Sequence, residues 1–288
     1  MINSSTSGSA KGVFILLPVL NEKQNIAELL DRIEQIMAGV PHTVCIVDDG
    51  SKDGTVDYIE KRMSEPDHHL HLIRRVKTIH GSQRGSALHV ALVWGLAHTS
   101  HDVFIEMDGD LSHRPEELPD GIAMISGRGY DVAIACKYLP GSQVTNRPWA
   151  RRMVSRLCGI AVRAVITPKV RDYSNGYRFY SRSAAELVAS HEIRYASPIY
   201  LTEVLALWLR KGLRVGEFRS TYVGRNEGLS KLRLIDLLKA GIAIFEVSSR
   251  YHVRGFRSIR SDPHPALNAQ AAAADGGRSF RTGGGKEG

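Results

Sequence analysis

Two aspartates flank a single glycine in Asp108-Gly109-Asp110, directly after the run Val103-Phe104-Ile105-Glu106-Met107. At the end of a strand both carboxylates can turn toward one cation. A pair of hard oxygen donors suits Mg2+ or Mn2+ carrying a diphosphate, and such an ion accepts charge from a departing nucleoside diphosphate. Asp-x-Asp alone is a weak signal, because exposed turns produce it often. Its neighbourhood strengthens it: Asp48-Asp49-Gly50-Ser51 ends a second apolar run, and Pro18-Val19-Leu20-Asn21-Glu22 ends a third. Three such segments along one sheet edge line a nucleotide cleft. The plainer reading, strongest for Ser51 and Asp53, is that these residues cap helices and form turns.

Those segments need strands behind them. Val13 to Leu17, Thr43 to Val47 and Asp102 to Met107 are short apolar runs, as expected of strands buried on both faces of a parallel sheet. Leu70 to Ile73, Asp131 to Ala135 and Gly176 to Tyr180 read as further strands. Between them, Asn25 to Met37 carries Ile26, Leu29, Leu30, Ile33 and Met37 on one helical stripe. Helices are also predicted from Thr55, over Ser86 to Ala97, from Pro115, and over Trp149 to Ile166, Pro198 to Leu209 and Ile235 to Val247. The alternation predicts an α/β fold: a doubly wound, mostly parallel sheet with flanking helices and a C-terminal amphipathic helix. Ligands then bind beyond the carboxyl ends of the strands, where the acidic segments fall. Residues 1–11 read as a flexible N-terminus, 12–254 as one domain and 255–288 as a disordered basic tail.

Of the 288 residues, 43% are hydrophobic and 24% charged, an ordinary balance for a chain with a packed core. No apolar run reaches the ~18 residues of a membrane-spanning helix, and the start lacks a signal-peptide core. A cytoplasmic protein is therefore expected. Cys45, Cys136 and Cys158 show no metal-ligand spacing and read as free thiols. The net charge of +8 suits an anionic partner, though part of it lies in the tail. Nucleic acid is disfavoured, because no binding module or aromatic platform accompanies the charge. A dinucleotide oxidoreductase is disfavoured too: no Gly-x-Gly-x-x-Gly turn follows the first strand.

Pro18-Val19-Leu20-Asn21-Glu22, Asp48-Asp49-Gly50-Ser51-Lys52-Asp53-Gly54-Thr55 and Met107-Asp108-Gly109-Asp110-Leu111-Ser112-His113 resemble the ordered motifs of family 2 glycosyltransferases. The Leu-Ser-His ending of the third resembles the dolichyl-phosphate (polyprenol-phosphate) mannosyltransferase branch. Asp172-Tyr173-Ser174-Asn175-Gly176-Tyr177-Arg178 is similar to that branch's Asp-x-Thr-Ser-Gly-Phe-Arg segment. Arg225-Asn226-Glu227-Gly228-Leu229-Ser230-Lys231 is similar to its Arg-x-x-Gly-x-Ser-Lys segment. The resemblance runs from Val13 to Val247 and implies a GT-A fold. It implies that Pro18, Asn21, Glu22, Asp49, Asp108, Gly109 and Lys137 bind the nucleotide sugar, and that Asp108 and Asp110 hold the metal. Arg225, Ser230 and Lys231 would bind the acceptor phosphate, with Asp110, Arg152 and Lys231 carrying catalysis. Arg151 and Arg156 compete with Arg152 for the inward position. Gln83 and Arg84 are further candidates for phosphate or sugar contact. His113 is a candidate for the metal or diphosphate, or a turn residue; Glu203 either touches the sugar or is a buried structural carboxylate. Two departures bear on sugar and acceptor identity. Ala135-Cys136-Lys137-Tyr138 stands where the branch has Gly-Ser-Arg-Tyr, a point charge in place of a guanidinium fork, and Asn175 stands where it has serine.

The reaction so implied is inverting transfer of mannose from GDP-mannose onto a polyprenyl or dolichyl phosphate. A lipid phosphate is already an anion and needs no strong base; the task is to hold two anionic reactants in line. The expected partners are a nucleotide sugar, a polyprenyl phosphate lipid, and either a membrane surface met peripherally on its cytoplasmic face or a membrane-embedded protein. The helix Ile235 to Val247, bordered by Arg233, Lys239 and Arg250, can lie in a bilayer interface, pack on its own domain or form a dimer contact. UDP-linked donors stay open. So does a hydroxyl acceptor, a saccharide or small molecule, which would need a carboxylate base.

Overall fold

The computed structural model describes residues 11–66, 68–76, 83–145, 156, 159–160, 162–224 and 234–251, with the backbone alone for 234–240. Seven strands form one sheet: β1 (Val13–Val19), β2 (His42–Asp48), β3 (Leu70–Arg74), β4 (Val103–Glu106), β5 (Val132–Cys136), β7 (Arg178–Ser181) and β8 (Val215–Arg219). Their order is β3-β2-β1-β4-β7-β5-β8, and β6 (Gln143–Thr145) pairs separately with β9 (Thr221–Val223). Every pairing in the large sheet is parallel except those of β7, which runs antiparallel to β4 and β5. The expected α/β class with a mostly parallel sheet is what forms.

β1 shows why the middle of this sheet is written in continuous hydrophobes. Val13, Ile15, Leu17 and Val19 join the core on one face, with Ile26, Leu29, Leu30 and Ile33 of α1 (Lys23–Ile36). Phe14 and Leu16 join the core on the other, with Ala87, Leu88, Ala91 and Leu92 of α3 (Arg84–His98). Burying an aliphatic side chain of this size contributes roughly 1.5–3 kcal/mol, so β1 anchors both layers. α2 (Thr55–Met63) and α4 (Leu118–Ser126) complete the first half. In the second half lie α5 (Arg182–Ala189), α6 (Tyr200–Arg210) and α7 (Leu234–Tyr251).

Register sets the site. Val19 lies opposite Asp48 and Leu16 opposite Glu106, so β2, β1 and β4, adjacent in the sheet, release their polar segments side by side at one edge. Helix and strand limits fall within a few residues of the sequence reading. α5, β6, β8 and β9 were not foreseen. Of the helix expected over Trp149 to Ile166, residues 156, 159–160 and 162–165 are helical, Ile166 lies in the turn that follows, and the others lie outside the described residues. So do residues 1–10, all of the expected tail and Cys158. Cys45 and Cys136 are free and buried, and burial pushes the Cys45 thiol up to about 12. Among the described residues no helix is long and apolar enough to cross a membrane.

Candidate active site

The loops after β1 and β2 are lashed together by their own motif residues. Ser51 Oγ accepts from the Asn21 backbone N–H at 2.8 Å, Thr55 Oγ1 from that of Glu22 at 3.0 Å, and Asp53 Oδ2 from that of Lys23 at 3.0 Å. In return Asn21 Oδ1 accepts from the Lys52 backbone N–H at 2.8 Å. Asn21 sits at φ 56°, a left-handed conformation that asparagine tolerates better than most residues. Asp48 Oδ2 accepts from the backbone N–H groups of Gly50 and Ser51, folding the second loop over itself. The turn reading of Ser51 and Asp53 is therefore what the structure shows. Asp49 is buried, and its Oδ1 takes both Nε and Nη2 of Arg75, at 2.8 and 2.6 Å.

Beyond β4 the chain turns sharply through Asp108-Gly109-Asp110. A Cβ on Gly109 would come within 2.9 Å of the Val19 side chain, so only glycine lets this loop lie against the end of β1. Asp108 is paired with Nη1 of Arg84, and its backbone N–H donates to His113 Nδ1 at 3.0 Å. His113 is 2% exposed and stacks on Tyr177, 4.9 Å between ring centres. Burial, and then the Arg84 charge, hold its pKa down at about 3, so the ring is neutral and carries its proton on Nε2. With its Nδ1 accepting from the Asp108 backbone N–H, His113 braces the turn that carries the two aspartates. Asp110 Oδ1 accepts from the Ser112 backbone N–H at 3.0 Å, and its charge is felt by both Arg84 and His113.

The donor set fits a hard divalent cation. Two half-buried carboxylates flank one small residue at the sheet edge, and a cationic group already sits on one of them. Among the described residues no third His, Cys, Asp or Glu joins them into a closed cage. An ion there would draw its remaining oxygen ligands from a diphosphate and water.

Lys137 lies deeper. Its Nζ is 2.9 Å from both carboxylate oxygens of Asp172 and 3.4 Å from Ser174 Oγ. Asp172 is completely buried, its backbone N–H donating to Glu217. Asn175 spans from the Ala135 carbonyl to the Tyr177 N–H, a reach that serine lacks. Glu203 accepts from the backbone of Arg194 and Tyr195 and from the Tyr251 hydroxyl, which makes it the buried structural carboxylate of the two readings offered for it. Pro18 and Glu22 stand at the β1 edge, Glu22 accepting from Asn25 Nδ2 at 2.8 Å. Arg151, Arg152, Arg225, Ser230 and Lys231 lie outside the described residues, and Arg156 is exposed.

Residues 14–188 match the sequence profile of Glycosyl transferase family 2. The chain belongs to that family. This family 2 transferase is 32% identical over 221 residues to a dolichol-phosphate mannosyltransferase of Pyrococcus furiosus, covering 77% of this chain but 59% of that protein. It is 29% identical to a polyprenol monophosphomannose synthase of Mycolicibacterium smegmatis, over 85% of this chain and 90% of that one. It is 31% identical to an undecaprenyl-phosphate mannosyltransferase of Micrococcus luteus, over 76% and 87%. In fold it is similar to glucosyl-3-phosphoglycerate synthase from Mycobacterium tuberculosis, crystallised with Mn2+ and UDP, at TM-score 0.59 and 17% identity over 86% and 82% of the chains. The GT-A architecture expected from the motifs is thus present, and the chain is a glycosyltransferase.

The sequence gives no site role to four residues that pack around these groups: Arg75, Glu106, Asp172 and Tyr200. Arg75 and Asp172 neutralise Asp49 and Lys137, while Glu106 and Tyr200 form a buried cluster behind Arg84. Glu106 carried a signal: a carboxylate inside an otherwise apolar strand needs a partner. It accepts from the hydroxyls of Tyr200 and Tyr180 at 2.9 and 3.3 Å, and its pKa is raised by burial against the pull of Arg178 and Arg84.

Proposed function

We propose that this transferase moves mannose from GDP-mannose onto a polyprenyl phosphate, inverting the anomeric centre, at the edge framed by β1, β2 and β4. What supports the reading most is that three relatives aligned over most of the chain all bear names of polyprenyl-type phosphate mannosyltransferases. The first loop pair, laced from Asn21 to Thr55, forms a floor for the nucleotide, with Asp49 held by Arg75 at its inner side. Asp108 and Asp110 would hold Mg2+ or Mn2+, which supplies Lewis-acid relief of charge on the leaving diphosphate. Gly109 and His113 keep the two carboxylates at the edge, and Tyr177 fixes the His113 ring. Lys137, clamped by Asp172, sets a fixed positive charge behind the sugar. Arg152, Arg225, Ser230 and Lys231 are assigned to the acceptor phosphate on motif alone; because that phosphate is ionised, they orient and screen rather than deprotonate.

The acceptor brings the protein to a membrane, and α7 suits a peripheral approach on the cytoplasmic face. Its inner side is buried through Ala243, Ile244, Val247 and Tyr251, whereas Ile242 and Phe245 are 61% and 70% exposed. An interfacial helix presents such apolar residues to the acyl boundary. A partner protein in the membrane would use the same face.

The test is a transfer assay with purified protein, Mn2+, and GDP-mannose or UDP-sugars, against short-chain polyprenyl phosphate and against hydroxyl acceptors. Mannosyl transfer to the lipid phosphate is expected, and Lys231→Ala should raise KM for that acceptor far more than for the donor. Transfer to hydroxyls only would reject the proposed acceptor, and product from UDP-sugars alone would reject the donor.

A further inference from the structure

The Arg84 guanidinium is seated in a socket assembled from three parts of the chain. Nε donates to the Tyr200 hydroxyl of α6 at 3.1 Å, and Nη2 to the Gly176 carbonyl at 3.1 Å. Tyr200 is held in turn by Glu106, which accepts its hydroxyl proton at 2.9 Å. A Cβ at Gly176 would fall 2.5 Å from Nη2, so the segment carrying Asp172 and Arg178 has room for this arginine only because residue 176 is glycine. From that seat Nη1 reaches the carboxylate of Asp108. The two side chains are 14% and 30% exposed, so the contact is open to solvent instead of being sealed in the interior.

An arginine cannot lose its proton at any physiological pH. A divalent ion arriving at Asp108 therefore meets a fixed positive charge already on its ligand. Arriving with a diphosphate, it meets the same charge together with anionic oxygens whose geometry a guanidinium fork matches well. We propose that Arg84 is the resident counter-cation of Asp108, and that it makes divalent ion and nucleoside diphosphate bind as a coupled pair by passing from the carboxylate to the diphosphate. Arg84 is then a positioning residue for the metal motif in the empty state and a diphosphate contact in the loaded one. The inference rests on the reading of Asp108 and Asp110 as the metal pair. Coupling of this kind is reciprocal: the nucleotide raises metal affinity by the factor by which the metal raises nucleotide affinity.

The experiment measures Mn2+ binding by the loss of the free-ion electron paramagnetic resonance signal, with the protein-free Mn2+–nucleotide complex subtracted. Mn2+ alone, Mn2+ with GDP and Mn2+ with UDP are compared for the wild type and Arg84→Gln. The wild type should bind Mn2+ at least about tenfold tighter with its preferred nucleotide than without. Arg84→Gln should bind Mn2+ alone about tenfold tighter than the wild type and gain far less from nucleotide. Tyr200→Phe releases Nε without removing the charge; it should shift the same way by less, and it carries the test if circular dichroism shows Arg84→Gln misfolded. Equal Mn2+ affinities and equal nucleotide gains in variant and wild type would overturn the role of Arg84 and leave the metal pair standing. Absence of Mn2+ binding by the wild type, even with nucleotide, would remove the metal pair itself, and the Arg84 role with it.

Discussion

Two cation–carboxylate pairs stand at the same edge of the sheet and differ in how they are enclosed. Lys137 and Asp172 are 4% and 0% exposed, and Asp172 is further satisfied by the Lys137 backbone N–H and by Ser174. Arg84 and Asp108 are 14% and 30% exposed, so their contact reaches solvent. The first pair has no way to exchange partners without leaving a bare charge in the protein interior. The second reaches solvent and can trade its partner for an ion or a phosphate without stranding a charge in the interior. A sealed pair fixes geometry, and an open pair is free to change partners.

The largest effect should come from Asp110→Ala, which removes one of the two carboxylates proposed to hold the metal while leaving both pairs intact. Loss of about 10²–10³-fold or more in kcat/KM is expected with an unchanged melting temperature; near-normal turnover in Mn2+ would take the metal role from this residue. Next comes the sealed pair. Asp172→Ala strands Lys137 and should cost about 3–5 kcal/mol in a denaturant titration, and a cost well under 1 kcal/mol would show that Lys137 finds water or another partner. Lys137→Arg installs the guanidinium usual in the branch, in a space closed around an ammonium. It should cost about 1–3 kcal/mol by overpacking, and a stabilised variant would mean that the space is larger than the contacts indicate.

The smallest effect concerns acid. His42, His71 and His101, near the opposite edge, have pKa values lowered chiefly by burial. With folded values below the unfolded 6.5, the folded state binds fewer protons. Their contribution is whole above that pH and is lost as pH falls below it. The melting temperature should therefore decline by a few degrees from pH 7.5 to pH 5, and His42→Asn with His101→Gln should flatten the decline. An unchanged slope in the double variant would place the acid sensitivity elsewhere.

The same contrast explains what could be read in advance. The acidic strand ends were legible because they follow apolar runs such as Thr43 to Val47, at the edge where a parallel sheet binds its ligands. The parallel centre was legible from strands hydrophobic on both faces. The partners were not: Arg75 lies 26 residues from Asp49, Asp172 35 from Lys137, and Arg84 92 from Gly176. Pairs between distant segments leave no local period. β7 read as a strand, but burial on both faces says nothing of direction, so its antiparallel run between β4 and β5 was hidden. β6, Gln143-Val144-Thr145, is three half-exposed or exposed residues with nothing to mark it as a strand.

The most direct test is crystallographic. Crystals grown with MnCl2 and GDP, measured at a wavelength where manganese scatters anomalously, should show one strong peak within coordination distance of carboxylate oxygens from both Asp108 and Asp110, with the Arg84 guanidinium on the diphosphate. A peak held by other residues, or well-ordered nucleotide with no peak at this pair, would contradict the assignment on which the catalytic reading depends.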